Sequence, residues 1–339
     1  MSASSLSRDL VSWFHQVGRD YPWRQTRDPY AILVSEIMLQ QTQITTVLDR
    51  GYYSRWLERF PDFASLAEAS ESEVLKAWEG LGYYRRARNL QKLACTILAE
   101  HSGIFPTDPV AIRALPGIGP YTAGAISSFA FGLHEPIVDG NVARVLARLD
   151  NDATPIDSTA GSKRLWERAT ELVRATDDPR ALNSALMELG QTLCKPSQAL
   201  CPECPVKKHC LAKDPTSLPV KSTKTQITEV TERVIFAQSP LGVLLEQETG
   251  ARRTGLWKLP ALPEALTECP PSILLKTVYG ITRYKVTLWV HEFTADPKHT
   301  WPSSHRIIPH AELASLAMPS PYRRALDKLI KNAEFRLDG

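Results

Sequence analysis

The stretch that most constrains this chain runs from Leu115 to Asn141, L-P-G-I-G-P-Y-T-A-G-A-I-S-S-F-A-F-G-L-H-E-P-I-V-D-G-N. Gly117 and Gly119 stand one residue apart between helix-like patterns, so the backbone can turn sharply there and leave amides uncovered. Pro120 suits the first turn of the helix that follows, where its missing N–H would have no intrahelical partner. Open amides at a helix start, together with the positive end of the helix dipole, form a seat for a phosphate. One helix length further on, Asp139 lies in a Val-Asp-Gly-Asn turn. Taken alone, such a turn is as readily a plain connection between helices, and Asp139 as readily the cap of a helix beginning near Asn141. Whether it is a phosphate seat tethered to a carboxylate depends on what accompanies it elsewhere in the chain.

The 339 residues, 43% of them hydrophobic, suffice for two or three domains with sizeable cores, and disorder is not expected. A net charge of +3 permits a polyanionic partner without requiring one. No signal-like apolar core follows Met1, and no run approaches the ~20 apolar residues of a membrane span. A cytoplasmic protein without membrane association is therefore expected.

Apolar spacing predicts helices at 6–18, 28–47, 49–60, 63–69, 71–79, 84–100, 108–114, 120–131, 140–149, 162–175 and 178–193. The second of these opens on Asp28-Pro29, a cap followed by proline, and carries Glu36, Gln40 and Gln41. No period-two alternation precedes residue 227, so the first two thirds reads as an all-helical array. Residues 213–228 have the Lys, Thr, Ser and Pro content of a linker. Strand-like runs at 230–237, 242–247, 274–279 and 286–293, then an amphipathic helix at 321–331, mark a small α+β module over 229–339.

Cys194, Cys201, Cys204 and Cys210 have the spacing C-x6-C-x2-C-x5-C. Four thiolates so close in sequence can hold zinc or a [4Fe-4S] cluster. Zinc usually shows two C-x2-C pairs, so the single pair with longer flanking gaps favours the iron–sulfur cluster; four free thiols are the remaining alternative. Lys195, Lys207 and Lys208 beside this loop offer positive charge to phosphates. Cys95 and Cys269 read as packing residues.

Glu36 in V-S-E-I-M-L-Q-Q-T-Q, Gly80-Leu-Gly-Tyr-Tyr84, L-P-G-I-G-P-Y-T-A-G, V-D-G-N-V and the cysteine spacing occur in this order. Together they closely resemble the adenine DNA glycosylases of the helix-hairpin-helix superfamily, the MutY type, over residues 8–212. More loosely, Gly255-Leu-Trp-Lys-Leu-Pro260 resembles that family's C-terminal Nudix-like module. The resemblance implies a multidomain fold: an all-α helix-hairpin-helix glycosylase domain with an iron–sulfur cluster loop, then a small α+β Nudix-like domain. The first would span 1–212, with a six-helix part at about 23–132 and a cluster part from 1–22 plus 133–212. A linker at 213–228 and the Nudix-like domain at 229–339 would follow. It further implies a monomeric base excision repair enzyme, nucleoid-associated in a bacterium, that excises adenine mispaired with 8-oxoguanine or guanine in double-stranded DNA.

The same resemblance assigns roles residue by residue. A base inside a duplex must be flipped out to be reached. Leu39, Gln41 and Tyr83 match intercalating residues that fill the gap. Glu36 matches the acid that protonates the adenine ring, and its apolar helix context would raise its pKa. Asp139 matches the carboxylate that stabilises the oxocarbenium-like sugar, directly or through a covalent intermediate. Tyr121 and Asn141 match residues that support the pair by hydrogen bonding. Gly117 and Gly119 would hold the DNA backbone. Lyase-competent members of the superfamily carry lysine at the position of Tyr121, so a glycosylase leaving an abasic site without efficient strand cleavage is expected.

Arg19, Trp23 and Arg24 match positions near the flipped adenine, but Tyr21 stands where the family commonly has leucine. Ser184 occupies a place that usually holds glutamine or glutamate and is too short for a bidentate contact to the base edge. In the C-terminal module, Ile281-Thr282-Arg283 replaces the family's Phe-Ser-His. Thr282 keeps a hydroxyl, and Arg283 can donate to the N7 and O6 of guanine, whereas 8-oxoguanine carries a proton on N7. Relatively greater tolerance of A:G mismatches is expected, unless Arg283 only grips phosphate or faces solvent. No R-E-x-x-E-E helix follows Pro260, so no nucleotide hydrolysis is expected. Two rivals remain: a thymine-DNA mismatch glycosylase of the same superfamily, and a non-catalytic iron–sulfur DNA-binding protein.

Overall fold

The computed structural model of the protein describes residues 2–222, 226–250, 253–294 and 301–337. The chain divides into two compact units, Met1–Ala67 with Asn89–Lys224, and Glu68–Arg88 with Thr225–Gly339.

The first unit is helical. Its elements are α1 (Ala3–Val17), α2 (Pro29–Leu39), α3 (Ile44–Asp49), α4 (Tyr52–Arg59) and α5 (Phe63–Glu68, whose last residue falls in the other unit). After α6 (Glu71–Ala77) in the second unit, α7 (Arg85–His101) returns to the first. Then come α8 (Pro109–Ala114), α9 (Pro120–Phe131), α10 (Gly140–Leu149), α11 (Thr159–Arg174) and α12 (Pro179–Thr192). Helix α2 starts where the Asp28 carboxylate accepts from the Tyr30 and Ala31 amides, with Pro29 in the first turn. It is buried from Tyr30 to Met38 and packs on α9, itself buried from Thr122 to Ala130. An all-round apolar sequence suits such a central position.

Helix α2 stops earlier than its sequence pattern predicts. Gln40 leaves helical geometry with ψ 111° and Gln41 takes a left-handed φ of 57°, so Gln40 and Gln41 form a turn before α3. The stretch of linker composition is also partly pinned: Leu218 is buried, Val220 accepts from the Ile156 amide, and the Ser222 amide donates to Asp157. Cys95 and Cys269, expected in the packing, are exposed; Cys95 faces away from the Ala94 and Ile97 side of α7.

In the second unit, β1 (Thr228–Phe236), β2 (Gln238–Ser239), β3 (Gly242–Gln247), β4 (Trp257–Lys258), β5 (Ile273–Ile281), β6 (Tyr284–Glu292) and β7 (His305–Ile308) precede α13 (Ser320–Leu337). One sheet has the order β1-β6-β5, parallel at β1·β6 with Thr228 opposite Tyr284, and antiparallel at β5·β6. The other has β3 between β2 and β4, with β7 also paired to β3. Val234, Val243, Leu245, Leu288 and Val290 meet Tyr322 and Leu326 of α13 in its core.

Residues 68–88 belong to this second unit rather than to the helical domain in which the sequence places them. The reason is polar as well as apolar: Tyr84 donates to the Met318 carbonyl and Glu79 pairs with Arg323. Among the described residues, no helix is long and apolar enough to cross a membrane.

Candidate active site

Thirteen of the residues singled out from the sequence line one cleft of about 1040 Å³ in the first unit: Arg19, Tyr21, Trp23, Arg24, Glu36, Leu39, Gln41, Gly117, Gly119, Tyr121, Asp139, Asn141 and Ser184. The packing of α2 on α9 sets its centre. Glu36, 4% exposed, accepts a 2.8 Å hydrogen bond from the Tyr121 hydroxyl. Burial raises the Glu36 carboxyl from its ordinary 4.5 to about 7; the Tyr121 bond and Arg24 oppose this, and nearby Asp139 adds to it. The Tyr121 phenol is in turn raised well above its usual value, first by burial.

Asp139 does cap α10, accepting from the Val142 amide at 2.7 Å through one oxygen. Its other oxygen accepts from Asn141 Nδ2 at 3.0 Å. Capping and facing the cleft are thus compatible, because the cap fixes the carboxylate at the helix start. Gly190 lets α12 come this close: a Cβ there would stand 2.7 Å from the Asn141 Cβ. Gly117, at φ 78°, makes the turn before α9, and a Cβ there would meet Asn89 at 2.8 Å.

The wall formed by residues 19–24 is held by charge. Glu188, 1% exposed, lies 2.8 Å from Arg24 Nη1 and 3.3 Å from Arg19 Nε. The Arg24 guanidinium lies between the rings of Phe14 and Tyr21, at 5.0 and 4.8 Å from their centroids. Tyr21 stacks on Trp23 and accepts from Arg19. Arg180 ties the neighbouring backbone by donating to the carbonyls of Arg24, Thr26 and Phe129. Glu188 and Arg180 were not singled out from the sequence; an acid on the apolar face of α12, four residues after Ser184, was the available signal.

The four cysteines of the 194–210 loop are half-buried free thiols. The Cys204 thiol is pushed up to about 11, chiefly by burial, with Cys194, Cys210 and Cys201 all adding to the shift. Arg148, 1% exposed, donates to Cys194 Sγ at 3.3 Å and to the carbonyls of Lys195, Pro196 and Leu218. Arg144 donates to the carbonyls of Cys194 and Gly190 and to Asn141 Oδ1. One arginine face of α10 therefore joins the Asp139 end of the cleft to the cysteine loop. Sequence reasoning missed both arginines, although their i, i+4 spacing among Val142, Val145, Leu146 and Leu149 was visible. Lys208 is engaged with Asp9 at 2.9 Å. Among the described residues, no three His, Cys, Asp or Glu side chains are gathered tightly enough for a single metal ion.

The remaining three residues lie in the second unit. Tyr83 is 44% exposed at φ 47°. Thr282, at φ 51°, and Arg283 form the turn between β5 and β6, where the Arg283 guanidinium lies over Tyr284 and donates to its hydroxyl at 3.1 Å.

Comparison with known proteins places this cleft in context. The family described as HhH-GPD superfamily base excision DNA repair protein matches residues 34–171. The chain is 46% identical over 213 residues to the adenine DNA glycosylase of Homo sapiens, a match covering 60% of this chain and 38% of the human protein. It is 33% identical over 262 residues to the adenine DNA glycosylase of Buchnera aphidicola subsp. Acyrthosiphon pisum, covering 76% of this chain and 73% of that one. In fold it is similar to a thermostable thymine-DNA glycosylase, with a TM-score of 0.55 and 30% identity over 62% of this chain and 95% of the other. The match thus spans well under half of the human relative's length but nearly three quarters of the Buchnera one. The chain belongs to the adenine DNA glycosylase family of HhH-GPD base excision DNA repair proteins.

Proposed function

We propose that this protein is a monofunctional glycosylase that removes adenine mispaired with 8-oxoguanine or guanine from double-stranded DNA, acting as a monomer. The observation that carries it is a buried Glu36 carboxyl at about 7, bonded to Tyr121, in the cleft that also holds Asp139. A carboxyl tuned to neutrality is half protonated at working pH and can act as an acid.

The flipped adenine enters between the arginine wall and Glu36. Glu36 gives its proton to a ring nitrogen, and the bond from the anomeric carbon to the base breaks with its electron pair leaving on the base. Asp139, whose two oxygens already accept hydrogen bonds, faces the positive charge that develops on the sugar. Water then supplies a hydroxyl to that carbon and its proton restores the acid. Tyr121 offers no amine for a Schiff base, which supports release without strand cleavage. Gly117 and Gly119 seat the DNA backbone; Leu39, Gln41 and Tyr83 fill the vacated stack. In the second unit, read as Nudix-like, Thr282 and Arg283 face the opposite base.

The cysteine loop fits a [4Fe-4S] cluster by its donor set: four thiols of one loop, those of Cys204 and Cys210 raised first by burial and then by their cysteine neighbours, with Arg148 at Cys194. Cys194, Cys201, Cys204 and Cys210 would hold it as thiolates. When bound it supplies a fixed framework for the loop; the bond cleavage is carried out by Glu36 and Asp139.

The likeness to a thymine-DNA glycosylase keeps one other substrate in view. Base release from duplexes with A:8-oxoguanine, A:G, T:G and matched pairs decides between them. Adenine release from the mismatches alone is expected; thymine release, or DNA binding with no base release, overturns the proposal.

A further inference from the structure

Tyr83 occupies a left-handed backbone conformation, φ 47°, that a bulky side chain adopts only where its surroundings impose it. What imposes it lies on both sides of the loop. Within it, Trp78 Nε1 donates to the Gly82 carbonyl at 3.0 Å, and Arg86 Nη2 donates to the carbonyls of Leu81 and Gly82. Beyond it, more than 230 residues away in sequence, the backbone at Leu316–Met318 is bound at successive points. Tyr84, next to Tyr83 and 5% exposed, donates from its hydroxyl to the Met318 carbonyl at 2.7 Å. Glu79 Oε1 accepts from the Met318 amide at 3.3 Å and from Arg323 Nε at 2.9 Å. Lys76, paired with Glu79, reaches the Leu316 carbonyl at 3.1 Å, and Arg323 donates to that carbonyl too.

We propose that Leu316–Met318, with Glu79, Tyr84 and Arg323 as positioning residues, is a strap by which the C-terminal module holds the 80–84 loop so that Tyr83 meets DNA. The proposal rests on the assignment of Tyr83 as a DNA contact. Charge-assisted bonds around a half-exposed aromatic residue offset a backbone conformation that the loop alone would relax. The second unit then contributes Tyr83 to the vacated stack and Thr282 and Arg283 to the opposite base, because all three belong to it.

The test uses the full chain with Glu79→Gln, Tyr84→Phe, Arg323→Met and Tyr83→Ala. Amide hydrogen exchange of residues 80–86 is followed without DNA; mismatch-duplex affinity and single-turnover adenine release are measured at saturating protein. The strap variants are expected to exchange roughly tenfold faster in this segment, with α2 and α9 unchanged. They should bind DNA more weakly, while the pH midpoint of the saturated rate stays put. Added to Tyr83→Ala, Glu79→Gln should cost no further affinity. Unchanged exchange at 80–86, or losses that add in full, overturns the strap. Faster exchange in the strap variants together with unaltered DNA affinity in Tyr83→Ala instead overturns the DNA-contact assignment and leaves the strap a structural tie.

Discussion

In the role proposed for it, Glu36 gives up stability for chemistry. Below 4.5 it is neutral whether the chain is folded or not, and it carries no penalty. As pH rises from there to about 7, the unfolded chain loses the proton while the folded one retains it at growing cost, and above 7 the buried charge weighs in full. Glu36→Gln is therefore expected to abolish base release yet stabilise the fold at pH 8 by about 3 kcal/mol, with no gain at pH 4. Denaturant melts at the two pH values check it. For Arg283, proposed to face the opposite base, Arg283→His is expected to shift preference from A:G towards A:8-oxoguanine. The ratio of single-turnover rates on the two duplexes reads this out, and an unchanged ratio confines Arg283 to phosphate or to its contact with Tyr284. Gln41, Tyr83 and Thr282, three candidate DNA contacts, all have left-handed backbones although none is glycine. Sequence patterns are blind to that, because the strain is imposed by packing from elsewhere.

Elements were legible where a local rule governs them. Asp28-Pro29, Gly119-Pro120 and Asp139 mark helix starts, and each does begin a helix. The end of α2 was not legible: apolar periodicity runs on through Ile44 and Val47, and only the backbone at Gln40 and Gln41 separates α2 from α3. Nor were the buried arginines of α10, since a charged residue mid-helix is ordinarily solvated. Their partners are carbonyls of the cysteine loop and of α12, distant in sequence. The close approach of α12 to α10 makes a sharp prediction at Gly190. Gly190→Ala should displace Asn141 and with it Asp139, lowering single-turnover release by roughly 10²-fold while the chain stays folded. Circular dichroism alongside the rate separates displacement from unfolding.

At the scale of the whole molecule, the cleft draws on the 19–24 segment, α2, α3, α9, α10 and α12, and α10 ties it to the cysteine loop. Iron analysis is expected to give about four irons per chain. Oxidative removal of that iron should lower the melting temperature and weaken DNA binding, because Arg148 and Arg144 would lose the framework they hold at Cys194. The division of the chain, with residues 68–88 in the unit of the β-module, was hidden from sequence because helix periodicity says nothing about which core a helix joins. The role proposed for Glu36, the acid of an adenine glycosylase, is read most directly from the pH dependence of single-turnover adenine release from an A:8-oxoguanine duplex. The rate is expected to be full below about 7, to fall as pH rises through that value, and to vanish in Glu36→Gln. A rate that is flat across that range, or that survives in Glu36→Gln, would contradict it.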